Sequence, residues 1–466
     1  MTLPGKKVLI IGWDCAAPRL VFDRFRDKLP NVKNILETGF WGRMRTVIPP
    51  ITIPAWRCMV TGKTPGELGL WGFRHRSGNS YSDFSITTTY DLKKDAVWDI
   101  IGKKGMKSVC SAVPPSYPVQ PINGHMIGCF MTPDTNKKYT YPEEFKDEIE
   151  KLVGKYPVDT VFRTDDKAAI RDSAFDMTDK HFRVLEHLLK NKEWDFAMHV
   201  EIGLDRIQHA FWRYIDETHH LYEADSEFQS VILDYYRLLD RWLGRMMEII
   251  DDDTLLLVVS DHGAKGMKGA FCVNQWLAEI GYLKFRKKPV PGQRIQDADI
   301  DWKKTKAWAW GGYYSRIFFN IKGREEKGRI KQGKSAVEIE KLKKTIKELK
   351  GPGGEKWNTS VYTPDEIYPE ASGKKPELMV FWDDLYWRSA GTVGHDTMYL
   401  RENDTGPDDG VHDWNGIIMG YRKGWNRNVQ LEDTSILDIF PTVLRFLETE
   451  SGFNGKGRII EEVFND

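Results

Sequence analysis

Six side chains that can bind a metal ion stand beside short apolar runs of the sequence. They are Asp14 after VLIIGW, Asp205 and His209 after FAMHVEIGL, Asp261 and His262 after LLLVVS, and His412 before NGIIMG. Three carboxylates and three imidazoles form a mixed oxygen and nitrogen ligand set, which suits Zn²⁺ or Mn²⁺ better than Mg²⁺ or Ca²⁺. The residue types therefore indicate a divalent-metal site, and the set is large enough for two ions.

Two spacings within this set favour the same chemistry. Asp205 and His209 are four residues apart, which places both side chains on one face of a helical turn. Asp261 and His262 are adjacent, so the two can point to different ions around a turn. Each residue alone also has a structural explanation, because an aspartate after a strand often caps a helix and a lone histidine is usually structural. The combined set is what indicates a metal centre.

The segment IPPITIPAWRCMVTGKTPGELG supplies a candidate nucleophile, Thr52. Proline is favoured in the first turn of a helix, so Pro54 places Thr52 at a predicted helix N-terminus. The free N–H groups and the positive end of the helix dipole favour an anion there, and a phosphate group would fit. The alternative is that Thr52 only caps the helix.

The apolar runs alternate with longer helical patterns along the chain. KKVLIIG, KSVCSAV, FAMHVEI, TLLLVVS and GIIMG are typical of strands that are buried on both faces of a parallel sheet. Apolar residues recur at helical spacing in segments 173–192, 227–250 and 436–447. This rhythm predicts an α/β fold with a doubly wound, mostly parallel sheet and helices on both faces. In such sheets ligands bind at the carboxyl ends of the strands, where the candidate metal ligands stand.

The pattern loosens between residues 265 and 410. This stretch holds the aromatic segment WAWGGYYSRIFFNI, a charged helical pattern and Gly/Pro-rich connectors. We predict that residues 1–264 and 411–466 form the catalytic core, and that residues 265–410 are a cap-like insertion that contributes to the active-site rim. The 17 tryptophans are expected mainly in cores, although aromatic faces of the insertion could stack a base, a sugar or a lipid-like group.

The composition argues against several other classes of protein. Lys+Arg and Asp+Glu both total 68, and a net charge of zero argues against bulk electrostatic binding of nucleic acid. No apolar run approaches the roughly 18 residues needed to cross a bilayer, and residues 8–11 are too short a run for a secretion signal. The five scattered cysteines indicate neither a disulfide framework nor a thiolate metal site. We expect a soluble, cytoplasmic protein with no membrane partner, whose oligomeric state the sequence does not reveal.

In this order, the motifs resemble the alkaline phosphatase superfamily, most closely its type I phosphodiesterase/nucleotide pyrophosphatase branch. The resemblance spans most of the chain and comprises the strand-end Asp14, the segment TIPAW followed by TGKTPGELG, the D-x-x-x-H of Asp205 and His209, the S-D-H-G at Asp261, and His412 before the last strand. It implies one metal ion held by Asp14, Thr52, Asp261 and His262. It implies a second ion held by Asp205, His209 and His412.

The resemblance also implies a mechanism. The two ions are commonly zinc and sometimes manganese, and ions roughly 4 Å apart can stabilise both the entering and the leaving oxygen. A metal-activated Thr52 would attack phosphorus in line and form a phosphothreonine intermediate, and the second ion would then activate water. The expected activity is hydrolysis of a phosphodiester or nucleotide pyrophosphate bond in a small-molecule phosphate ester.

One departure from the family pattern concerns substrate binding. Nucleotide pyrophosphatases carry an asparagine, downstream of the nucleophile, that contacts a phosphate oxygen. The corresponding stretch reads GLWGFRHR, with Phe73 near the expected place. Arg57, Arg74 or His75 could provide the missing contact, and we assign it to Arg74 because arginine offers a bidentate fork.

Three alternative functions follow from the same pattern. A phosphomonoesterase or phosphomutase of the superfamily shares the metal ligands and stays open as the second choice. A sulfatase is excluded, because Thr52 cannot be converted to formylglycine. A non-catalytic binding protein, using the Trp-rich insertion, would show eroded ligand positions, whereas all seven are intact.

Overall fold

The structure is a computed structural model that describes residues 5–92, 95–449 and 455–464. The described strands are, in chain order, β1 (Lys7–Trp13), β2 (Phe40–Arg45), β3 (Arg74–Arg76), β4 (Phe84–Ile86), β5 (Ser108–Ser111), β6 (Gly124–Ile127), β7 (Thr140–Tyr141), β8 (Phe196–Glu201), β9 (Thr254–Val259), β10 (Gly263–Gly266), β11 (Gly269–Cys272), β12 (Gln293–Arg294), β13 (Ala307–Trp310), β14 (Ser315–Phe319), β15 (Ser360–Tyr362), β16 (Leu378–Phe381), β17 (Trp387–Ala390), β18 (Thr392–Val393), β19 (Tyr399–Leu400), β20 (Gly410–Asp413), β21 (Asn415–Tyr421) and β22 (Val429–Ser435).

The helices cover the sheets and carry part of the site. They are α1 (Pro30–Thr38), α2 (Thr52–Thr61), α3 (Pro65–Leu68), α4 (Val97–Gly102), α5 (Phe145–Val153), α6 (Lys167–Asn191), α7 (Gly203–Phe211), α8 (Val231–Ile249), α9 (Val273–Glu279), α10 (Ser335–Lys347), α11 (Pro364–Ile367) and α12 (Ile439–Phe446). The helical patterns of the sequence correspond to α6, α8 and α12. Within the described ranges, no helix combines the length and the apolar character that crossing a membrane requires.

A nine-stranded sheet forms the centre of the fold, in the order β22-β2-β21-β9-β1-β8-β5-β6-β7. The pairs β2/β21, β21/β9 and β6/β7 are antiparallel, and the other five neighbouring pairs are parallel. The predicted class, a mostly parallel α/β sheet with helices on both faces, is confirmed. The prediction is wrong for GIIMG alone among the listed runs, since β21 runs antiparallel to both of its neighbours, and an apolar run does not reveal the direction of a strand.

Alternation along β1 shows why the sheet is covered on both faces. Leu9 and Ile11 pack into a core with α1, α6, α7 and α8, whereas Val8 and Ile10 pack into a second core with α2, α4 and α12. Successive side chains of a strand point to opposite faces, so an unbroken apolar run needs cover on both. The run VLIIG supplies this pattern within a few residues.

The segment between β11 and β19 builds a third core of its own. Antiparallel strands β13, β14, β15 and β16 pair with one another, while β11 pairs with β17 and β19. Six tryptophans are buried in this core, which confirms packing as a main use of the residue: Trp276, Trp308, Trp310, Trp357, Trp382 and Trp387. All strands of the nine-stranded sheet lie outside residues 265–410, and the division into core and insertion stays a prediction.

Three structural links tie this segment to the rest of the chain. Strands β10 and β20 form an antiparallel ribbon at its base, in which Ala264 is paired with His412. The hairpin of β3 and β4 reaches the segment through a buried ion pair between Arg76 and Glu325, whose nearest nitrogen and oxygen are 3.2 Å apart. In the same hairpin the ring of Tyr81 stacks on Trp302 at a centroid distance of 3.8 Å.

The topology brings the candidate ligands to one edge of the sheet. Strands β1, β8 and β9 are parallel neighbours, so Asp14, α7 and Asp261 all follow at their carboxyl ends. Because β21 is antiparallel to β9, its beginning lies at this same edge, and β20 with His412 comes just before it. Strand β2 also ends there, since Arg45 is paired with Asn415, and the chain then leads into α2.

Candidate active site

All seven residues singled out in the sequence meet at this edge of the sheet and are buried. Their exposed fractions lie between 0% and 3%: Asp14, Thr52, Asp205, His209, Asp261, His262 and His412. Isolated charged groups are costly to bury, and carboxylates that stay charged in a protein interior are paired or bind a metal. The arrangement of the seven therefore has to be explained by what they contact.

The first group of potential ligands contains Asp14, Asp261 and His262. One ligand atom from each lies within 4.8 Å of those of the other two. Asp261 Oδ2 is 3.0 Å from His262 Nε2, and Thr52 Oγ1 is 3.4 Å from the same nitrogen. These are the four residues that the family resemblance assigns to one ion.

The second group contains Asp205, His209 and His412. Asp205 Oδ1 is 3.2 Å from His209 Nε2 and 3.7 Å from His412 Nε2. This group also includes the sulfur of Cys15, which the sequence analysis did not assign to a metal site. The imidazoles of His262 and His412 stack at a centroid distance of 3.7 Å, so the two groups adjoin.

Each histidine is held by its outer ring nitrogen. His209 Nδ1 donates to Asp408 Oδ1 at 2.7 Å, and His412 Nδ1 donates to the carbonyl of Pro50 at 2.7 Å. His262 Nδ1 donates to the carbonyl of the next residue at 3.2 Å. In every case Nε2 is the nitrogen turned toward the carboxylates. Metal-binding histidines are oriented in this way by partners outside the coordination sphere.

Four buried atoms at the centre find no hydrogen-bond partner within the described part of the chain. They are Asp14 Oδ1, Asp205 Oδ1, Asp261 Oδ2 and His412 Nε2. All four carry lone pairs, and leaving such atoms buried and unpaired is costly. Oxygen and nitrogen atoms from three carboxylates and three imidazoles are donors that zinc and manganese accept. The residues present therefore fit a pair of divalent cations.

The pKa values of Asp14 and Asp205 reflect how closely the buried carboxylates and imidazoles lie together. Burial, together with the charges of Asp261 and Asp205, raises the pKa of Asp14 well above its ordinary value. Burial alone would also raise the pKa of Asp205, but its contacts with His209 and Arg206 outweigh burial and hold that pKa well below the usual range. A divalent cation between these side chains would remove the repulsion that Asp14 experiences.

Thr52 has the position that the sequence predicts. Helix α2 begins at Thr52, so its backbone N–H is among the unpaired donors of the first turn. The N-cap residue is Ile51, which makes no side-chain capping hydrogen bond, and Thr52 is the first residue of the helix. The capping alternative is therefore wrong, and the hydroxyl is turned instead toward His262.

A cleft of about 500 Å³ opens beside the site. Its walls include aromatic and basic side chains from both parts of the chain: Phe73, Arg74, Phe130, Trp310, Tyr313, Arg316 and Arg388. Tyr313 connects the cleft to the ligands, because its ring stacks on His412 at 3.7 Å and its hydroxyl lies 3.2 Å from His209 Nε2. The cleft is large enough for a substrate that carries an aromatic or sugar group.

The three candidates for phosphate contact differ in position. Arg74 lines the cleft, with its guanidinium 4.9 Å from the ring centroid of Phe84. His75 Nε2 instead lies 2.7 Å from Thr87 Oγ1. Arg57 is buried on α2. Burial lowers the pKa of its guanidinium to about 10, although the nearby charge of Asp99 acts in the opposite direction. Of the three, only Arg74 is among the residues that line this cleft.

Several residues of the site could not be assigned from the sequence. Trp56 Nε1 donates to Asp14 Oδ2 at 2.6 Å, and Arg206 donates to Asp205 Oδ2 at 2.8 Å. Asp408 holds His209, as described above. Two weak signals existed: a tryptophan one turn beyond the nucleophile in TIPAW, and the acidic pair DD just before the segment GVH.

Comparison with known proteins gives a family match and a fold match. The family described as type I phosphodiesterase/nucleotide pyrophosphatase matches residues 8–414. No curated protein matches the sequence. Solved structures with a similar fold include murine ectonucleotide pyrophosphatase/phosphodiesterase 5, inactive and in complex with AMP, and the human protein of the same name. The murine chain is 13% identical with a TM-score of 0.57, and the human chain is 14% identical with a TM-score of 0.56; both comparisons cover 97% of either chain. At this identity the likeness concerns the fold.

The hydrogen bond from Trp56 to Asp14 provides a test of the site. Replacing Trp56 with Phe removes the N–H that donates to Asp14 but keeps an aromatic ring in most of the same space. Without this hydrogen bond, the carboxylate of Asp14 is no longer held in one orientation. We expect the affinity for Zn²⁺ or Mn²⁺, measured by competition with a chromophoric chelator, to fall about 10–100-fold. Trp98→Phe is the matched control, because Trp98 is buried in the same core but does not contact a ligand. Equal metal affinity in the two variants would contradict the assignment of Asp14.

Proposed function

Since the chain belongs to the type I phosphodiesterase/nucleotide pyrophosphatase family and is a hydrolase of that kind, we propose that it cleaves a phosphodiester or nucleotide pyrophosphate bond. In this proposal Thr52 is the nucleophile and two divalent ions are the cofactors. One observation carries the proposal. The hydroxyl of Thr52 stands at the start of α2, 3.4 Å from His262 Nε2, beside two buried groups of metal-binding side chains.

The residues of the chain suggest how the reaction proceeds. The scissile phosphate binds at the N-terminus of α2, where unpaired N–H groups and the helix dipole favour its charge. Thr52 Oγ, after losing its proton, attacks phosphorus in line; a new O–P bond forms as the bond to the leaving oxygen breaks. Water then hydrolyses the resulting phosphothreonine and restores the threonine hydroxyl. Bound divalent ions would lower the pKa of the Thr52 hydroxyl and neutralise charge on the phosphate oxygens.

The proposed ion sites follow the two groups of side chains. Asp14, Thr52, Asp261 and His262 would hold one ion, and Asp205, His209 and His412 would hold the other. Zinc is the first choice and manganese the second, because imidazole and carboxylate donors are combined. Burial and the neighbouring His262 lower the pKa of His412 to about 3, which keeps its Nε2 lone pair free at neutral pH.

The setting of the enzyme is part of the same proposal. The five cysteines are buried and none forms a disulfide. Reduced thiols are typical of proteins in a reducing compartment, so we place the enzyme in the cytoplasm. Its substrate is a small-molecule phosphate ester that fits the cleft lined by aromatic and arginine side chains.

The nucleophile is tested with two chromogenic substrates, bis-p-nitrophenyl phosphate as the diester and p-nitrophenyl phosphate as the monoester. We expect Thr52→Ala and Asp261→Asn each to lower kcat for the diester by roughly 10³-fold or more, because a nucleophile and a metal ligand are removed. Thr52→Ser should keep measurable activity, since a hydroxyl is retained. Thr61→Ala, at the other end of α2, should behave as the wild type.

The outcome of this assay also separates the proposed function from its alternative. If Thr52→Ala and Asp261→Asn both hydrolyse every active ester at the wild-type rate, the assigned site is wrong. If the wild type prefers the monoester, the protein is instead a phosphatase or a phosphomutase with the same metal ligands.

Metal removal gives a second test. We expect a chelator to abolish diester hydrolysis and either Zn²⁺ or Mn²⁺ to restore it, because the buried carboxylates need positive charge to hold the phosphate. During a metal titration, diester hydrolysis should return only when both of the proposed active-site ions are bound. Full activity in protein stripped of all divalent ions would contradict the two-ion proposal.

The role of Arg74 is tested by its effect on substrate binding. Arg74→Met removes a charge from the cleft wall, and we expect kcat/KM for the diester to fall by about 10–100-fold, since hydrogen bonds to charged groups contribute about 1.5–3 kcal/mol. Arg74→Lys should recover part of the loss, because it keeps the charge but loses the fork. Arg237→Met, on the exposed side of α8, serves as the control. Unchanged kcat/KM in Arg74→Met would exclude the contact.

A further inference from the structure

A second concentration of imidazole and carboxylate lies inside the fold, apart from the seven residues of the candidate site. His181 on α6 and His199 and Glu201 on β8 are between 0% and 1% exposed. One ligand atom from each lies within 4.8 Å of those of the other two. His181 Nδ1 is 3.0 Å from Glu201 Oε2, and His199 Nε2 is 3.6 Å from the same oxygen.

The outer nitrogen of each ring is already held in place. His181 Nε2 donates to the carbonyl of Pro157 at 2.6 Å, and His199 Nδ1 lies 3.1 Å from Ser111 Oγ, which can accept a hydrogen bond from it. The other nitrogen of each ring is turned toward Glu201. The histidines of the candidate active site are arranged in the same way, with the outer nitrogen bonded and the inner nitrogen facing carboxylates. This is the usual arrangement around a metal ion.

The contacts within the protein leave this cluster incomplete. Among the residues that the structure describes, His199 Nε2 is buried without a hydrogen-bond partner, and its contact with Glu201 Oε2 at 3.6 Å is too long for one. Glu201 Oε1 accepts from the backbone N–H of Gly203 at 2.8 Å, and in the described part of the chain no lysine or arginine forms an ion pair with Glu201. A proton on His181 would satisfy the pair it forms with Glu201 but would leave His199 unpaired.

We propose that His181, His199 and Glu201 form a third divalent-metal site, which is structural and separate from the two ions of the active site. Tetrahedral zinc bound at about 2.1 Å places its ligand atoms roughly 3.4 Å apart, and the distances of 3.0 and 3.6 Å lie on either side of that value. Binding releases the Nδ1 proton of His181 and satisfies His199 Nε2 in one step.

The position of the site gives the ion a defined role. It joins α6 to the end of β8, immediately before α7, the helix that carries Asp205 and His209. The backbone carbonyl of Glu201 also accepts from the N–H of Asp14 at 3.2 Å. The three side chains are almost completely buried and do not line the cleft beside the candidate active site, so the ion would be closed off from the substrate. It would stabilise the segment that positions the catalytic ligands.

The test counts bound zinc in tag-free, full-length protein. The chain is stripped with chelator, dialysed against Zn²⁺, freed of excess ion and analysed by native mass spectrometry. His199→Gln should bind one zinc fewer than the wild type and lose the part of the zinc-dependent rise in Tm that this ion supplies. His219→Gln is the matched control, because His219 is also buried but is outside every group of potential ligands.

The result is independent of the active-site proposal. If the wild type binds three zinc ions and His199→Gln binds two, both inferences stand. If the wild type binds one and His199→Gln none, the structural site stands and the two-ion active site fails. Equal zinc counts in wild type and His199→Gln would overturn the structural site, and the cluster would then be a metal-free imidazolium–carboxylate pair.

A milder variant covers the case in which His199→Gln does not fold. Ser111→Ala removes only the acceptor of the outer nitrogen of His199, so it leaves all three ligands in place. The affinity for the most tightly held zinc should fall about 10–100-fold without loss of the other ions. Unchanged zinc affinity in Ser111→Ala, with unchanged zinc counts at saturation, would also argue against the site.

Discussion

Mutual repulsion among Asp14, Asp205 and Asp261 is the constraint that organises this molecule. Their carboxylates are almost completely buried at one edge of the sheet, close enough for burial and neighbouring charge to raise the pKa of Asp14. The protein supplies part of the compensation through the N–H of Trp56 and the guanidinium of Arg206. Several lone pairs remain without a partner, and the positive charge still required is of the kind that divalent cations provide. The surrounding side chains are arranged to keep these carboxylates in place.

The fold meets this constraint with contributions from distant parts of the chain. Parallel neighbours β1, β8 and β9 bring the carboxylates together, and antiparallel β21 brings His412 to the same edge. Asp408 and Tyr313, which hold and cover the histidines, come from the segment that follows β11. The cleft therefore lies between the edge of the central sheet and the segment after β11, and its aromatic walls belong partly to that segment, which has a hydrophobic core of its own.

The sequence predicts what is local and misses what is long-range. Runs such as VLIIG and LLLVVS identify buried strands, and a polar residue at the end of each run marks the carboxyl edge of a parallel sheet. The same reasoning does not identify β2, because its sequence FWGRMR mixes charged and apolar residues. It also does not give the direction of β21. Trp56 and Asp14 are 42 positions apart, and no periodicity reports such a contact. The sequence left open whether Thr52 caps the helix, because sequence patterns locate the first residue of a helix poorly. The structure decides against this role, since α2 begins at Thr52 and its N-cap residue is Ile51.

The ribbon of β10 and β20 limits how this protein can be rebuilt by evolution or by engineering. His262 stands just before β10 and His412 lies within β20, so a proposed metal ligand stands at each end of residues 265–410, the predicted insertion. A graft that exchanges residues 265–410 at the ribbon would cut through the candidate active site. An exchange inside residues 267–407 would leave His262 and His412 in place but would remove Tyr313, which packs on His412. Changes at the outer surface of this segment leave the proposed ligands untouched, whereas changes near the ribbon also affect the candidate active site.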